Sequence, residues 1–341
     1  MTVVNFGRAR HGLDLTRESW RVLSTNRELL IFPCLSVFLL AAVIAAAVGA
    51  EFFAPEAWDW FAQQGAASQL AWSAVGLFLQ YSAAIFLNTA MVSCALIRFA
   101  GGKPALGAGL SIAVRRLPQI LAWSIVATVV HLVLDEAEER LGWLGKLLTS
   151  MIGAGWAFAT LLVVPVLAAE GVSPIAALRR STHLIRQTWG EGLAGNFTIQ
   201  LISGVAVVAL FAIAGAGIGL GAYFESLVLA GVVVATLGVA IFFFLVLHVA
   251  MQQVFLTGLY IYATTGTIPQ GFSESTMADA FRKRDLHADA VRPESVAPAT
   301  SQGKARIRVM VSFCPECGIL GEREVSICPN CSSTAWRAPS R

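Results

Sequence analysis

Charge is what this sequence has least of. Only 13% of its 341 residues are charged, against roughly a quarter in an ordinary soluble domain. Several runs of about 20 residues contain no Asp, Glu, Lys or Arg, which excludes a water-soluble fold around one core. Nor does any such residue lie deep inside those runs. A charge at the bilayer centre costs at least about 2.5 to 3.5 kcal/mol and usually marks an ion path or proton relay, so neither is indicated.

Other absences narrow the function. There is no nucleophile elbow, phosphate-cradling glycine loop, HExxH helix or pair of intramembrane carboxylates, and no enzymatic activity is expected. Gly215, Gly217, Gly219 and Gly221 lack the strand and helix context of a nucleotide fold, and close helix packing explains them better. A net charge of +3 gives no reason to expect a nucleic-acid partner. The first 28 residues have no short apolar core or small-residue cleavage site of a removable signal. They are expected to stay, as an amphipathic cytoplasmic segment.

What is present is apolar: 56% of the chain. Six stretches are long enough to cross a bilayer, at residues 29–48, 70–97, 120–134 with shorter flanks, 147–169, 193–220 and 227–262. The predicted fold is an all-α polytopic membrane protein: a six-helix transmembrane domain over 29–272, with interfacial helices and a small C-terminal β zinc ribbon. The last stretch would make a helix of about 54 Å against a hydrocarbon core of about 30 Å. It must tilt, kink or project.

Orientation follows from the basic residues, which resist translocation. Five arginines precede residue 28, Arg98, Lys103, Arg115 and Arg116 fill the second connection, Arg179, Arg180 and Arg186 the fourth, and ten more lie beyond Phe272. Only Arg140 and Lys146 fall in the alternate connections, beside Glu51, Glu56, Asp59, Asp135, Glu136, Glu138, Glu139 and Glu225. That puts 22 of 24 basic residues on one face. The expectation is a multi-pass protein of the cytoplasmic (inner) membrane with both termini in the cytoplasm. The lipid bilayer is its first partner.

Within the connections, 173–189 reads as an interfacial helix with Ile175, Leu178, Ile185 and Trp189 on one face and Arg179, His183 and Arg186 on the next. Residues 108–117 and 16–23 repeat the pattern less cleanly. Phe52, Phe53, Trp58, Trp60 and Phe61 read as an aromatic interfacial loop. His131 is expected to pair with Asp135 one turn on, and Pro165 to kink its helix.

Polar residues inside the bundle are neutral. Asn88, Asn196, Gln200, His248 and Gln252 count back to its cytoplasmic half, where they could line one cavity, although ordinary interhelical hydrogen bonds account for them as well. His131 apart, these and Gln80 are the polar groups singled out in the spans.

Six cysteines divide into two sets. Cys34 and Cys94 sit in apolar runs, as small buried thiols do. The others form Phe313-Cys314-Pro315-Glu316-Cys317-Gly318 and Cys328-Pro329-Asn330-Cys331. Two CxxC knuckles at this spacing suit a tetrahedral metal site on a hairpin of residues 306–312 and 322–327. Structural zinc is the expected occupant of Cys314, Cys317, Cys328 and Cys331, iron its rival, and disulfides are disfavoured in a reducing compartment. The ribbon would occupy 305–341, after a flexible linker at 273–304.

Three segments carry a family likeness: Ser19-Trp20-Arg21-Val22-Leu23 leading to Glu28-Leu29-Leu30-Ile31-Phe32-Pro33; Val164-Pro165-Val166 through Glu170-Gly171 to Ala177-Leu178-Arg179-Arg180-Ser181; and Trp189-Gly190-Glu191. With Leu259-Tyr260-Ile261-Tyr262-Ala263 they resemble an uncharacterised prokaryotic family of six-helix integral membrane proteins, a domain of unknown function, over about 15–272. A more distant similarity is to the membrane-anchoring domain of some bacterial glycerophosphodiester phosphodiesterases, without the hydrolase. The resemblance implies fold and location and brings no activity. These readings together point to a membrane scaffold whose zinc ribbon recruits a cytoplasmic protein partner. The alternative is a transporter or flippase for a lipid or small neutral solute, using the polar cavity.

Overall fold

The structure, a computed structural model, describes residues 19–187 apart from 21, 22, 26, 103 and 104, scattered positions between 204 and 226, residues 227–266 and 269, and 311–313 with 320–322. After a 3₁₀ turn at Arg27–Leu30, the helices are α1 (Ile31–Phe53), α2 (Pro55–Ala62), α3 (Ala66–Phe99), α4 (Leu106–Arg115), α5 (Leu117–Ala159), α6 (Val163–Glu170), α7 (Pro174–Gln187) and α8 (Leu227–Thr265).

Among the described residues five helical spans are long and apolar enough to cross a membrane: Glu28–Ala46, Ala66–Phe99, Leu117–Trp143, Gly145–Glu170 and Gly231–Thr265. The chain is a multi-pass membrane protein. Among the described residues the count is therefore five, against the six expected over the whole chain. Residues 193–220, expected as a further span, lie largely outside the described residues, as do most of 1–28 and all of the 273–304 linker.

Two of the spans come from α5, which is a hairpin rather than one rod. Gly142, at φ 59° and ψ −133°, takes a conformation essentially closed to L side chains. Trp123 and Trp156 then stack with centroids 5.7 Å apart, although 33 positions along a straight helix would separate them by about 50 Å. At the corner, a Cβ on Gly145 would meet the Ala137 carbonyl oxygen at 2.9 Å. The reversal is therefore tight.

Packing is dense at one end only. The buried cluster joins Leu29 and Phe32 on the entry to α1, Met91 to Phe99 on α3, Ile120 and Trp123 on α5, Leu162 to Ala168, and Ala250 to Tyr260 on α8. Arg98, Arg115, Arg116, Arg179, Arg180 and Arg186 flank these segments; it is the basic end. Small residues fill the cluster, Ala90, Cys94, Ala95, Ala113, Ala168, Ala177 and Ala250 among them, because apolar side chains gain nothing by leaving lipid for protein and close backbone approach must drive association.

Large apolar groups accordingly point outward. Ile31, Leu35, Phe38, Val43 and Ile44 line the exposed face of α1, and Leu147, Leu148, Met151 and Ile152 the second arm of α5. In water so large a patch would aggregate, whereas in a bilayer it is solvated. Phe53, 90% exposed, and Trp60 stand at the far ends, where aromatic rings favour the headgroup zone. The expected His131–Asp135 pair forms at 3.2 Å, beside Glu136–Arg140 and Glu138–Lys146, and these groups mark the acidic end.

α5 and α6 are separated by a turn at residues 160–162, as Pro165 requires: it has no N–H and its ring displaces the carbonyl four residues back. The buried Ser181 hydroxyl repairs the break. Its Oγ accepts the Leu162 N–H at 3.2 Å and donates to the Ala159 carbonyl at 2.7 Å. Ser181→Ala should leave a buried donor and acceptor unmet at a cost of about 1 to 3 kcal/mol, lowering the thermal unfolding midpoint in detergent; an unchanged midpoint would show the turn holds without it.

Among the described residues the β component is a short pair: Val311–Phe313 runs antiparallel to Leu320–Glu322, Phe313 opposite Leu320, so the two strands flank the first CxxC and meet the expected hairpin segments only at residues 311, 312 and 322. Three residues a side do not make an independent domain, and the zinc ribbon is removed from the fold class.

Candidate functional site: the basic-end junction

Three connections meet at the basic end. α4 lies along α3, with Gly109 and Ala113 buried and Gly109 so close that an added Cβ would stand 2.5 Å from the Ala90 carbonyl oxygen and nearer still to Cys94 Sγ. The outer face of α4 carries Leu110 and Val114 and ends at Arg115. This is the geometry of a helix lying in the membrane interface.

α7 repeats it. Ala177, Ser181, Leu184 and Ile185 are buried, while Arg179, His183 and Arg186 form an exposed stripe with Ile175 nearby. The basic face falls where periodicity put it. The apolar face is corrected: Ile175 points outward, and Trp189 lies outside the described residues.

Between them sits Gly171, the left-handed cap of α6 at φ 61°. Its N–H bonds to the Leu167 carbonyl at 3.2 Å, closing the helix as an αL cap does. The Gln119 side-chain amide donates to its carbonyl at 3.3 Å. The Arg116 guanidinium packs where a Cβ of residue 171 would be. Burial, and then the neighbouring Arg115 charge, pull the Arg116 pKa below its ordinary value, yet a guanidinium stays cationic at neutral pH.

Next in sequence, Glu170 ties three helices. Its Oε1 accepts from Arg180 Nε at 3.1 Å and from the buried Tyr260 hydroxyl at 3.0 Å, joining α6, α7 and α8. Hydrogen bonds to an ionised acceptor contribute about 1.5 to 3 kcal/mol. None of Arg116, Gln119, Glu170 or Tyr260 was singled out from sequence as a site residue, although Glu170-Gly171, Arg180-Ser181 and Tyr260 belong to the segments that carried the family likeness. What signalled them was that adjacency of charge to an apolar run.

Asn88 on α3 and His248 and Gln252 on α8 are half-buried, His248 lying flat against Phe244 with centroids 6.4 Å apart. Asn196 and Gln200 lie outside the described residues. A cavity of ≈ 220 Å³ among the described residues is lined by Trp20, Leu23, Ser24 and Leu30. Cys94 is buried, but Cys34 is exposed on the outer face of α1.

Among the described residues no group of three or more His, Cys, Asp or Glu could hold a metal ion. Cys314, Cys317, Cys328 and Cys331 lie outside those residues. Zinc or iron binding therefore has no structural support, and the scaffold model built on a partner-recruiting zinc ribbon falls with it. The cavity-based transporter reading that stood beside it is likewise given up, since the structure supplies membrane architecture and no function.

Residues 72–272 match DUF6159, a family of unknown function. The chain belongs to that family. The matched region opens within α3 and runs past the end of α8, so it contains the whole junction and omits α1, which the sequence likeness had included. No curated protein matches the chain, and no solved structure does. The similarity to the anchoring domain of glycerophosphodiester phosphodiesterases is thus withdrawn.

Proposed function

We propose that this DUF6159 member is a non-catalytic protein of the inner membrane, with its basic end and both termini at the cytoplasmic face, that works at the anionic leaflet. The interfacial helices α4 and α7 hold cations against lipid headgroups and offer a surface to a cytoplasmic protein partner. One observation carries this reading: Arg179, His183 and Arg186 stand exposed on α7 while the opposite stripe is anchored in the bundle. The lopsided distribution of basic residues supports the orientation.

Each Lys or Arg near an anionic surface contributes about 1 kcal/mol. Full-length protein in nanodiscs of mixed phosphatidylcholine and phosphatidylglycerol, with a spin-labelled trace of each lipid, should immobilise the anionic lipid preferentially. That preference should weaken with added salt and fall severalfold in an Arg179→Gln/Arg186→Gln double variant. Equal immobilisation of both lipids by the parent protein would overturn the reading.

A further inference from the structure

We infer that Arg116 and Gln119, set around Gly171, form a discrete site for one phosphate group, supplied by the headgroup of a lipid. This deepens the reading of the basic end as an anionic-lipid face, from a diffuse surface to a built site.

Arg180 has Glu170, but Arg116 has no ion pair among the described residues. Its guanidinium is nonetheless half-buried and held against Gly171. A cation withdrawn from water without a counter-charge is costly. Glu170, the neighbouring carboxylate, is paired with Arg180 and Tyr260 and forms no ion pair with Arg116.

Polar satisfaction points to the same place. Among the described residues Arg116 Nε and Gln119 Oε1 are both buried without a hydrogen-bond partner, although Gln119 Nε2 is fixed on the Gly171 carbonyl. An unmet cationic donor and an unmet acceptor thus lie beside one residue. A phosphodiester answers the first, since the guanidinium fork matches two phosphate oxygens, and a headgroup hydroxyl or ammonium answers the second. Arg115 adjoins Arg116 in sequence and is exposed, placing a second cation beside it. Depth agrees too: the site lies between the end of α4 and the start of the α5 span, where phosphates of a leaflet would stand.

The test is thermal unfolding of the full chain in dodecyl maltoside, with added phosphatidylglycerol, phosphatidylcholine or inorganic phosphate. Phosphatidylglycerol should raise the midpoint of the parent protein, as any ligand of the folded state does. The rise should vanish in Arg116→Gln and shrink in Arg116→Lys, which keeps the charge and loses the fork. It should persist in Arg179→Gln/Arg186→Gln, so a failure of the α7 surface and a failure of this site are told apart. An equal rise with inorganic phosphate, lost on the same substitutions, would keep the phosphate site and assign a soluble source. An undiminished rise in Arg116→Lys together with Arg116→Gln, or no rise with any of the three additives, would overturn it.

Discussion

Gly171→Ala should destabilise the bundle by about 2 to 5 kcal/mol, from two separable causes. The left-handed backbone at φ 61° costs an L side chain about 1 to 2 kcal/mol. The new methyl also enters the space of the Arg116 guanidinium, and overpacking of this kind costs about 1 to 3 kcal/mol. An Arg116→Ala background removes the second cause and leaves the first. Thermal midpoints of the four proteins in detergent should therefore show a smaller loss from Gly171→Ala when Arg116 is absent. Identical losses in both backgrounds would mean that Arg116 does not rest on this glycine.

Gly109→Leu should lift α4 from α3. An alanine there meets both Cys94 Sγ and the Ala90 carbonyl oxygen, for about 1 to 3 kcal/mol, and leucine adds bulk with no free volume to receive it. Because one obstacle is backbone, Cys94→Ala should rescue Gly109→Ala only in part. Accessibility of a cysteine placed at Ser111, exposed on α4, would follow the displacement. Full rescue by Cys94→Ala would show that the sulfur alone sets the spacing.

Sequence was most informative where lipid does the selecting. A span must satisfy its own backbone and present apolar side chains for about 20 residues, and α1, α3, α8 and the two arms of α5 could all be read that way. Their ends ran further than hydropathy implied. α8 continues unbroken to Thr265, and the first arm of α5 extends to the break at Gly142 because Glu136–Arg140 and His131–Asp135 pairs keep a polar segment helical beyond the apolar run.

Contacts between segments were not legible. Hydrophobic periodicity finds an apolar stripe but does not say whether lipid or protein covers it. On α7 it favoured Ile175, Leu178, Ile185 and Trp189; Ile185 is buried and Leu178 packs on the cluster, but the bundle also takes the small pair Ala177 and Ser181 and leaves Ile175 outside. Ser181 looked like one more polar residue on a basic helix, since its partners Ala159 and Leu162 are about 20 positions away and supply only backbone atoms. Gly142 gave no warning either, lying in Leu-Gly-Trp-Leu-Gly, which a helix tolerates. The cysteine spacing was the clearest motif in the chain and the least useful guide to the described structure, since its ligands lie outside it and only two three-residue strands beside the first pair are described.

The whole account turns on which side of the bilayer the basic junction faces. In a variant lacking the native cysteines, single cysteines at Ser173, between α6 and α7, and at Glu139, at the corner of α5, would be labelled in intact cells and in inverted vesicles with a membrane-impermeant maleimide. Position 173 should react only in inverted vesicles and position 139 only in intact cells. Labelling of both from one side, or of position 173 from outside, would contradict the assignment of this end to the cytoplasmic leaflet.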